Sequence, residues 1–171
     1  MQSMTENQSS RFDFEFEPPL ANLIDLINEV LAGLRQPPLL ENPAIEFDSR
    51  NCFPHYIVFA IHSAKNNTVE LMVYLEVDSI RVDIDRIPET LEWGAKDIEK
   101  SRGKVVEFLH ALLSGYILVD TRGASRFIQI FDAHGFLFHS MSINNTLHFF
   151  TRMYLFRSKG FRRLFMPIFE K

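Results

Sequence analysis

Residues 105–143 decide the fold and read VVEFLHALLSGYILVDTRGASRFIQIFDAHGFLFHSMSI. Apolar residues in the first third of this stretch recur at the spacing of an amphipathic helix: Val105, Phe108, Leu109, Leu112 and Leu113. We predict that the helix ends at Gly115, because glycine adopts the left-handed conformation that often follows a helix without a Cβ clash. Leu112 belongs to the apolar stripe, so we expect its side chain to be buried.

Three short strands are predicted after this helix, over residues 116–120, 127–131 and 136–141. Asp132 and Gly135 suit a type I turn closed by a glycine bulge, which predicts a positive φ at Gly135. Alternate residues of a strand point to opposite faces, and neither face of the middle strand is strongly polar. We therefore expect this meander to be covered on both sides, with the Ile130 side chain buried.

A second antiparallel group of strands is predicted earlier in the chain, over residues 56–62, 69–77 and 80–85. The two-residue period gives this group one dry face and one acidic face. The acidic face holds the candidate partner-binding residues Glu70, Tyr74, Glu76, Asp83 and Asp85. We expect its four carboxylates to be exposed on one side of a sheet, because the alternation holds on either side of the turn.

The N-terminal part of the chain predicts a helix and an aromatic arm. The helix begins at Pro18-Pro19 and stops at Gln36-Pro37-Pro38, because proline is favourable at the first helical position and unfavourable further in. Phe12, Phe14 and Phe16 alternate with acidic residues. This pattern predicts either an edge strand with one buried face or an arm that docks on a partner.

Two further segments have helical character. Pro88 is predicted to end the meander, and residues 89–104 then form either a helix continuous with Val105 or a helix over residues 91–100 broken near Gly103. We favour the break, because glycine costs roughly 1 kcal/mol inside a helix. A helix is also predicted over residues 147–156, followed by a second helical stretch over residues 161–169 that Pro167 interrupts.

The C-terminal helical segment is apolar on most sides, which is typical of a buried helix. We expect its apolar side chains to pack on the body of the protein: Phe149, Phe150, Met153 and Tyr154. We expect its basic side chains to stay in solvent: Arg157, Lys159, Arg162 and Arg163.

Together these elements predict an α+β fold. It contains two antiparallel β-meanders, or one larger antiparallel sheet, with an N-terminal helix, a central helix and a C-terminal helical segment. Residues 1–11 are polar and are expected to be disordered. Residues 12–171 are expected to form a single domain, in which residues 144–171 are the basic, aromatic segment packed on the body.

The net charge of −4 is unevenly distributed along the chain. Residues 148–171 contain six basic residues and one acidic residue, whereas residues 1–147 contain twelve basic and twenty-one acidic residues. No apolar run is long enough to span a membrane, and no secretory leader is evident. With a single cysteine, Cys52, and therefore no internal disulfide framework, the sequence indicates a cytoplasmic protein.

No stretch carries a recognisable catalytic, metal-binding or cofactor-binding motif. The six histidines lack zinc-site spacing, and the seven glycines never cluster into a phosphate-binding loop. Cys52 and His55 could form a nucleophile and base, but an unreactive thiol is commoner. Asp83 and Asp85 could hold a cation, although a solvated strand edge is the favoured interpretation. We expect no cofactor, no metal and no catalytic residue.

The acidic α+β layout over residues 56–143, with strands such as FIQIFDAHGFLFHSMSI, resembles single-domain immunity proteins that neutralise bacterial polymorphic toxins. The resemblance implies a stoichiometric inhibitor that covers a toxin's active site. A basic toxin domain would complement the acidic face. One alternative is a peripheral nucleic-acid or membrane-surface binder that acts through the basic, aromatic C-terminal segment. Another is an enzyme whose site is assembled only in three dimensions.

Overall fold

The computed structural model describes residues 12–62, 69–84, 87–122, 125–144 and 161–169. These residues form antiparallel sheets of five and four strands together with two α-helices, which confirms the predicted α+β class. The predicted count of three helical elements is not matched in this part of the chain. The chain divides into two compact units, the first comprising residues 1–64 and 70–107 and the second residues 65–69 and 108–171.

The first unit contains a five-stranded antiparallel meander. Its strands follow one another in chain order: β1 (Ile45–Phe47), β2 (Tyr56–Ile61), β3 (Leu71–Glu76), β4 (Ser79–Ile84) and β5 (Ile87–Gly94). The expectation that Pro88 ends the meander is wrong, because Pro88 lies inside β5. β5 is the last strand of the sheet, and an edge strand tolerates a residue that lacks a backbone N–H donor.

The core of the first unit lies on the inner face of this sheet. Alternate residues of β3 and β4 are buried there, and helix α1 (Pro18–Gly33) packs against β3. Phe12 is buried, with its ring centroid 5.4 Å from that of Phe47. Residues 12–17 do not form a strand, so the Phe12 to Phe16 arm docks through its aromatic rings without joining the sheet ladder.

Helix α2 (Ala95–Ser114) begins immediately after β5. Both predicted starting points, residue 89 and residue 91, are therefore wrong, because residues 87–94 form a strand. The helix is interrupted at Ser101, where φ is −137° and ψ is 30°. This interruption lies at the break that the sequence favours.

Gly115 follows the helix but does not have a positive φ, so the left-handed conformation expected there is wrong. A Cβ atom at Gly115 would lie 1.9 Å from the Phe131 carbonyl oxygen, so close backbone approach requires glycine here.

The second unit contains the four-stranded sheet. Its strands are β6 (Tyr116–Arg122), β7 (Ser125–Phe131), β8 (Leu137–Asn144) and β9 (Phe161–Phe165), arranged in the order β8-β7-β6-β9. The β7–β8 turn has the predicted geometry, with a φ of 84° at Gly135. The Asp132 carboxylate accepts hydrogen bonds of 2.9 Å from the backbone N–H groups of His134 and Phe136.

The predicted helix over residues 161–169 is wrong, because residues 161–165 form β9 beside β6. Gly160 and Pro167 leave too short a stretch for a stable helix, whereas β6 offers a partner edge. Arg162 lies opposite Asp120 in the ladder, and its Nη2 atom is 3.0 Å from the Asp120 Oδ2 atom. The N–H groups of Ile168 and Phe169 then donate to the Leu113 carbonyl oxygen near the end of α2.

The second sheet has one dry face rather than two. Ile128 and Ile130 are buried, and Leu112 is also buried as predicted. On the other face of β7, the Phe127 side chain is 38% exposed, so the expectation of a meander covered on both sides is wrong. Arg162 and Arg163 are exposed as predicted.

Several predictions fall on residues outside the described ranges. These are the disorder expected of residues 1–11, the exposure expected of Asp85, and the helix expected over residues 147–156 with the side chains of Phe149, Phe150, Met153, Tyr154, Arg157 and Lys159. Within the described ranges, neither helix has the length and apolar character needed to cross a bilayer.

Candidate protein-binding face

The outer face of the first sheet is the side opposite the buried row of Leu71, Val73 and Leu75. The strand register places the following residues on this outer face: Glu46, Tyr56, Val58, Ala60, Met72, Tyr74, Glu76, Arg81, Asp83 and Glu92. Tyr74 lies directly between Val58 and Arg81, and Arg81 is opposite Glu92. Two of the predicted site residues, Glu76 and Asp83, are therefore brought onto the same face as Tyr74.

Arg81 and Tyr74 form the centre of the outer face. The Arg81 Cζ atom lies 3.8 Å from the centroid of the Tyr74 ring, which is a cation–π contact. The Arg81 side chain keeps 31% of its surface in solvent. An ordered aromatic ring and a planar cation are therefore both accessible to a partner.

Asp83 lies next to Arg81 in the same row of β4. The Arg81 Nε atom is 3.9 Å from the Asp83 Oδ1 atom, so the two side chains form an ion pair. Asp83 is only 8% exposed, so the prediction that its carboxylate lies in solvent is wrong. The alternation of residues along a strand assigns Asp83 to a face of the sheet, but it does not show how deeply the side chain is buried on that face.

The protonation states of this cluster follow from its burial and its charges. Burial raises the pKa of Tyr74, and the Asp83 charge raises it further. Burial also raises the pKa of Tyr56, against the opposing effect of Arg81. Burial disfavours the charged form of Arg81, but Tyr74 and Asp83 more than compensate and raise its pKa. At neutral pH the cluster therefore contains neutral tyrosines beside a charged arginine.

The remaining carboxylates of the outer face surround this centre. Glu70 and Glu76 are half-buried rather than fully exposed, and Glu46 and Glu92 are exposed. Sequence reasoning did not single out Glu46, Arg81 or Glu92. The two-residue period places Arg81 and Asp83 in one row, but adding Glu46 and Glu92 requires the register of β1 and β5.

A shallow cavity of about 450 Å³ opens at the β1 end of the outer face. Ala60 and Met72 contribute apolar surface, and Glu46, Glu70 and Arg50 contribute charge. The His62 Nε2 atom is 3.4 Å from the Glu46 Oε2 atom, so the two form an ion pair when His62 is protonated. The cavity extends the outer face and suits a side chain with an apolar stem and a cationic end.

A second cavity of about 500 Å³ lies between α1, the β3–β4 turn and the start of α2. Its lining includes Asp25, Asp78, Glu99 and Arg102. Arg102 is already paired, because its Nη2 atom is 2.9 Å from the Glu29 Oε2 atom. This cavity does not include the Arg81 and Tyr74 centre.

Candidate catalytic and metal-binding groups do not converge in the described part of the chain. No group of three or more His, Cys, Asp or Glu side chains in that part could hold a metal ion. The Cys52 thiol donates to the carbonyl oxygens of Asp48 and Val58, at 3.2 and 3.7 Å. Burial raises its pKa, which is opposite to the activation that a nucleophilic thiol requires. His55 is exposed, and its ring stacks on that of Phe53.

Comparisons with protein-family models, with curated proteins and with solved structures each gave no match to this chain.

Proposed function

We propose that the protein is a non-catalytic binding module whose outer face recognises a basic protein. The observation that carries the proposal is the Arg81 and Tyr74 pair, with Asp83 beside Arg81 and further carboxylates around them. Tyrosine and arginine are the residue types that most often dominate binding energy when they lie at the centre of an interface. Because both side chains are already ordered by mutual contact, less conformational entropy is lost on binding.

The surrounding charge favours a basic partner. Glu46 and Glu92 are exposed at opposite edges of the outer face, with Glu76 half-buried between them. Such an arrangement attracts a positively charged surface and accelerates its association. The shallow cavity beside Glu46 and Glu70 could accept a lysine or arginine side chain of the partner.

The more specific proposal is a toxin-neutralising, immunity-type inhibitor that acts in the cytoplasm. The resemblance of residues 56–143 to immunity proteins favours this function, and a basic nuclease or other basic toxin domain has the charge that the outer face complements. The free thiol of Cys52 suits a reducing compartment. Inhibition would follow from covering the toxin's active site, without any reaction carried out by this chain.

Affinity capture from the native host with matched variants tests the binding function. The wild-type chain should retain a basic protein that is released by salt. Glu76→Lys/Glu92→Lys should lose most of that protein, since it reverses two carboxylates of the outer face. Glu15→Lys/Glu41→Lys makes the same change in charge at two exposed positions outside this face and should capture normally. Equal capture by both double variants would contradict the proposal.

Co-expression then tests the inhibitor function. The captured partner is produced alone and together with the wild-type chain, and growth of the cells is measured. A toxin should stop growth alone and permit it in the presence of the wild-type chain, whereas Glu76→Lys/Glu92→Lys should rescue poorly. A partner that is harmless alone would refute the inhibitor function while leaving the binding function intact.

A peripheral membrane or nucleic-acid binder is the second candidate. It is favoured by β9, where Arg162, Arg163 and Leu164 are all exposed and Met166 follows. Arg162 is paired with Asp120, which reduces the positive charge available to an anionic surface. Co-sedimentation with anionic vesicles, and binding to a single-stranded oligonucleotide, would each be lost in Arg162→Glu/Arg163→Glu if β9 acts in this way.

A further inference from the structure

The sheet edges of the described chain differ in how they are protected against pairing with another strand. Natural proteins shorten edge strands or place charges and proline on them, because an open edge presents unpaired backbone groups. β1 has three residues, and Glu46 at its centre is exposed. β5 contains Pro88 and carries Glu92 in solvent. β9 carries exposed Arg162 and Arg163.

β8 lacks all of these protective features. It is eight residues long, from Leu137 to Asn144, and its sequence LFHSMSIN contains no proline and no Lys, Arg, Asp or Glu. Among the described strands it pairs with β7 on one side only and lies at the edge of the four-stranded sheet. The residues at its start are also exposed and apolar, with Phe136 at 73% and Leu137 at 54%.

We propose that β8 is a dimerisation strand that pairs antiparallel with β8 of a second copy of this chain. Two four-stranded sheets would then form one continuous eight-stranded sheet around a two-fold axis. This inference is independent of the outer face of the first sheet, since β8 belongs to the second unit.

The geometry of an antiparallel pair makes self-association of β8 feasible. Residues directly opposite each other in an antiparallel pair lie on the same face of the sheet. When two identical strands pair around a two-fold axis perpendicular to the sheet, the residue at the axis lies opposite the same residue of the other copy. The axis falls at Ser140 or Met141, which are the two middle residues of β8. Neither is charged, so pairing places no like charges together. The same symmetric pairing of β9 would bring its own Arg162 and Arg163 residues close together.

The position of the exposed apolar residues favours a second copy over an unrelated strand. With the axis at Ser140, the Phe136 to Phe138 segment of each copy lies alongside the end of the other copy's β8. Pairing of the two β8 strands would therefore cover Phe136 and Leu137 of both copies. Burial of apolar side chains on both copies supplements the backbone hydrogen bonds of the new ladder.

Sedimentation velocity of the full chain, from low micromolar to several hundred micromolar concentrations, tests this proposal. The wild-type chain should form a dimer. Ser140 is exposed and faces Gln129 of β7, so a longer side chain fits the fold. Ser140→Lys and Ser140→Glu should each raise the dimer Kd at least about tenfold, because each places like charges near the axis. An equimolar mixture of the two variants should restore a dimer.

Gln129→Lys is the matched control, because it adds the same charge on the same face one strand away from the edge. It should dimerise like the wild-type chain. Recovery by the Lys and Glu mixture shows that the single variants are folded. A wild-type chain that stays monomeric at every concentration would overturn the proposal, and so would a dimer Kd unchanged in both Ser140 variants.

Discussion

The Arg81 guanidinium lies over the Tyr74 ring, with 3.8 Å between the Arg81 Cζ atom and the ring centroid. The two residues are opposite each other in the β3–β4 ladder, so the contact is fixed by strand register. Asp83, next in the same row as Arg81, is buried beside them. The outer face of the first sheet is thus organised by a neutral tyrosine, a cation and a buried carboxylate.

Substitution of Arg81 should lower the stability of the folded protein. Arg81→Met loses the contact with Tyr74 and leaves the Asp83 carboxylate buried without Arg81, so we expect the free energy of unfolding to fall by about 1–3 kcal/mol. In Arg81→Met/Asp83→Asn the buried charge is removed together with the cation, and part of the loss should be recovered. Urea denaturation of both variants measures the difference. A double variant no more stable than Arg81→Met would contradict the coupling.

Ionisation of Tyr74 should reduce stability at high pH. Its pKa is raised above the ordinary value of 10.0, first by burial and then by Asp83, so the folded state holds the phenol proton more tightly than the unfolded state does. This contribution is complete below the ordinary pKa and is lost as pH rises towards the raised value. As pH rises through this range, the wild-type chain should therefore lose stability relative to Tyr74→Phe, which has no phenol to ionise. A pH-independent difference in urea denaturation would exclude this linkage.

Gly115→Ala should be strongly destabilising. A Cβ atom at this position would lie 1.9 Å from the Phe131 carbonyl oxygen and 2.5 Å from that of Ala111. Both contacts are with backbone, so relief requires movement of the α2 end or of β7. We expect a loss of more than about 2 kcal/mol, by analogy with overpacked cores. Gly103→Ala is the control, because a Cβ there meets no atom within 4 Å. Comparable melting temperatures for the two variants would refute the close approach.

Leu112→Ala should create a cavity in the core of the second unit. Leu112 is 1% exposed, and truncation of such a leucine typically costs about 2–5 kcal/mol. Chemical denaturation measures the loss. A change near zero would show that this part of α2 is not a core element.

The elements most accurately predicted from the sequence depend on nearby residues. Asp132 and Gly135 determine the β7–β8 turn through bonds within five residues of chain, so their sequence spacing is sufficient. β9 was missed because its partner strand, β6, lies about forty residues earlier and supplies both the ladder and the Asp120 contact. β5 was missed because proline is tolerated at an edge, and edge position is a property of the whole sheet.

The candidate site was predicted in outline for the same reason. A two-residue period is sufficient to group Tyr74, Glu76 and Asp83 on one face. The burial of Asp83 is a property of the folded sheet, and the inclusion of Glu46 and Glu92 depends on strand register. The alternation of residues along one strand therefore predicts neither the burial of Asp83 nor the inclusion of Glu46 and Glu92.

The most direct test of the central claim is the association rate between this chain and the captured partner, measured by stopped flow at low and high salt. If the outer face of the first sheet binds a basic protein, Glu76→Lys/Glu92→Lys should slow association at least about tenfold at low salt. The difference should narrow at high salt, where exposed charges are screened. Glu15→Lys/Glu41→Lys should associate at nearly the wild-type rate. An association rate for Glu76→Lys/Glu92→Lys equal to that of the wild-type chain at low salt would contradict the account.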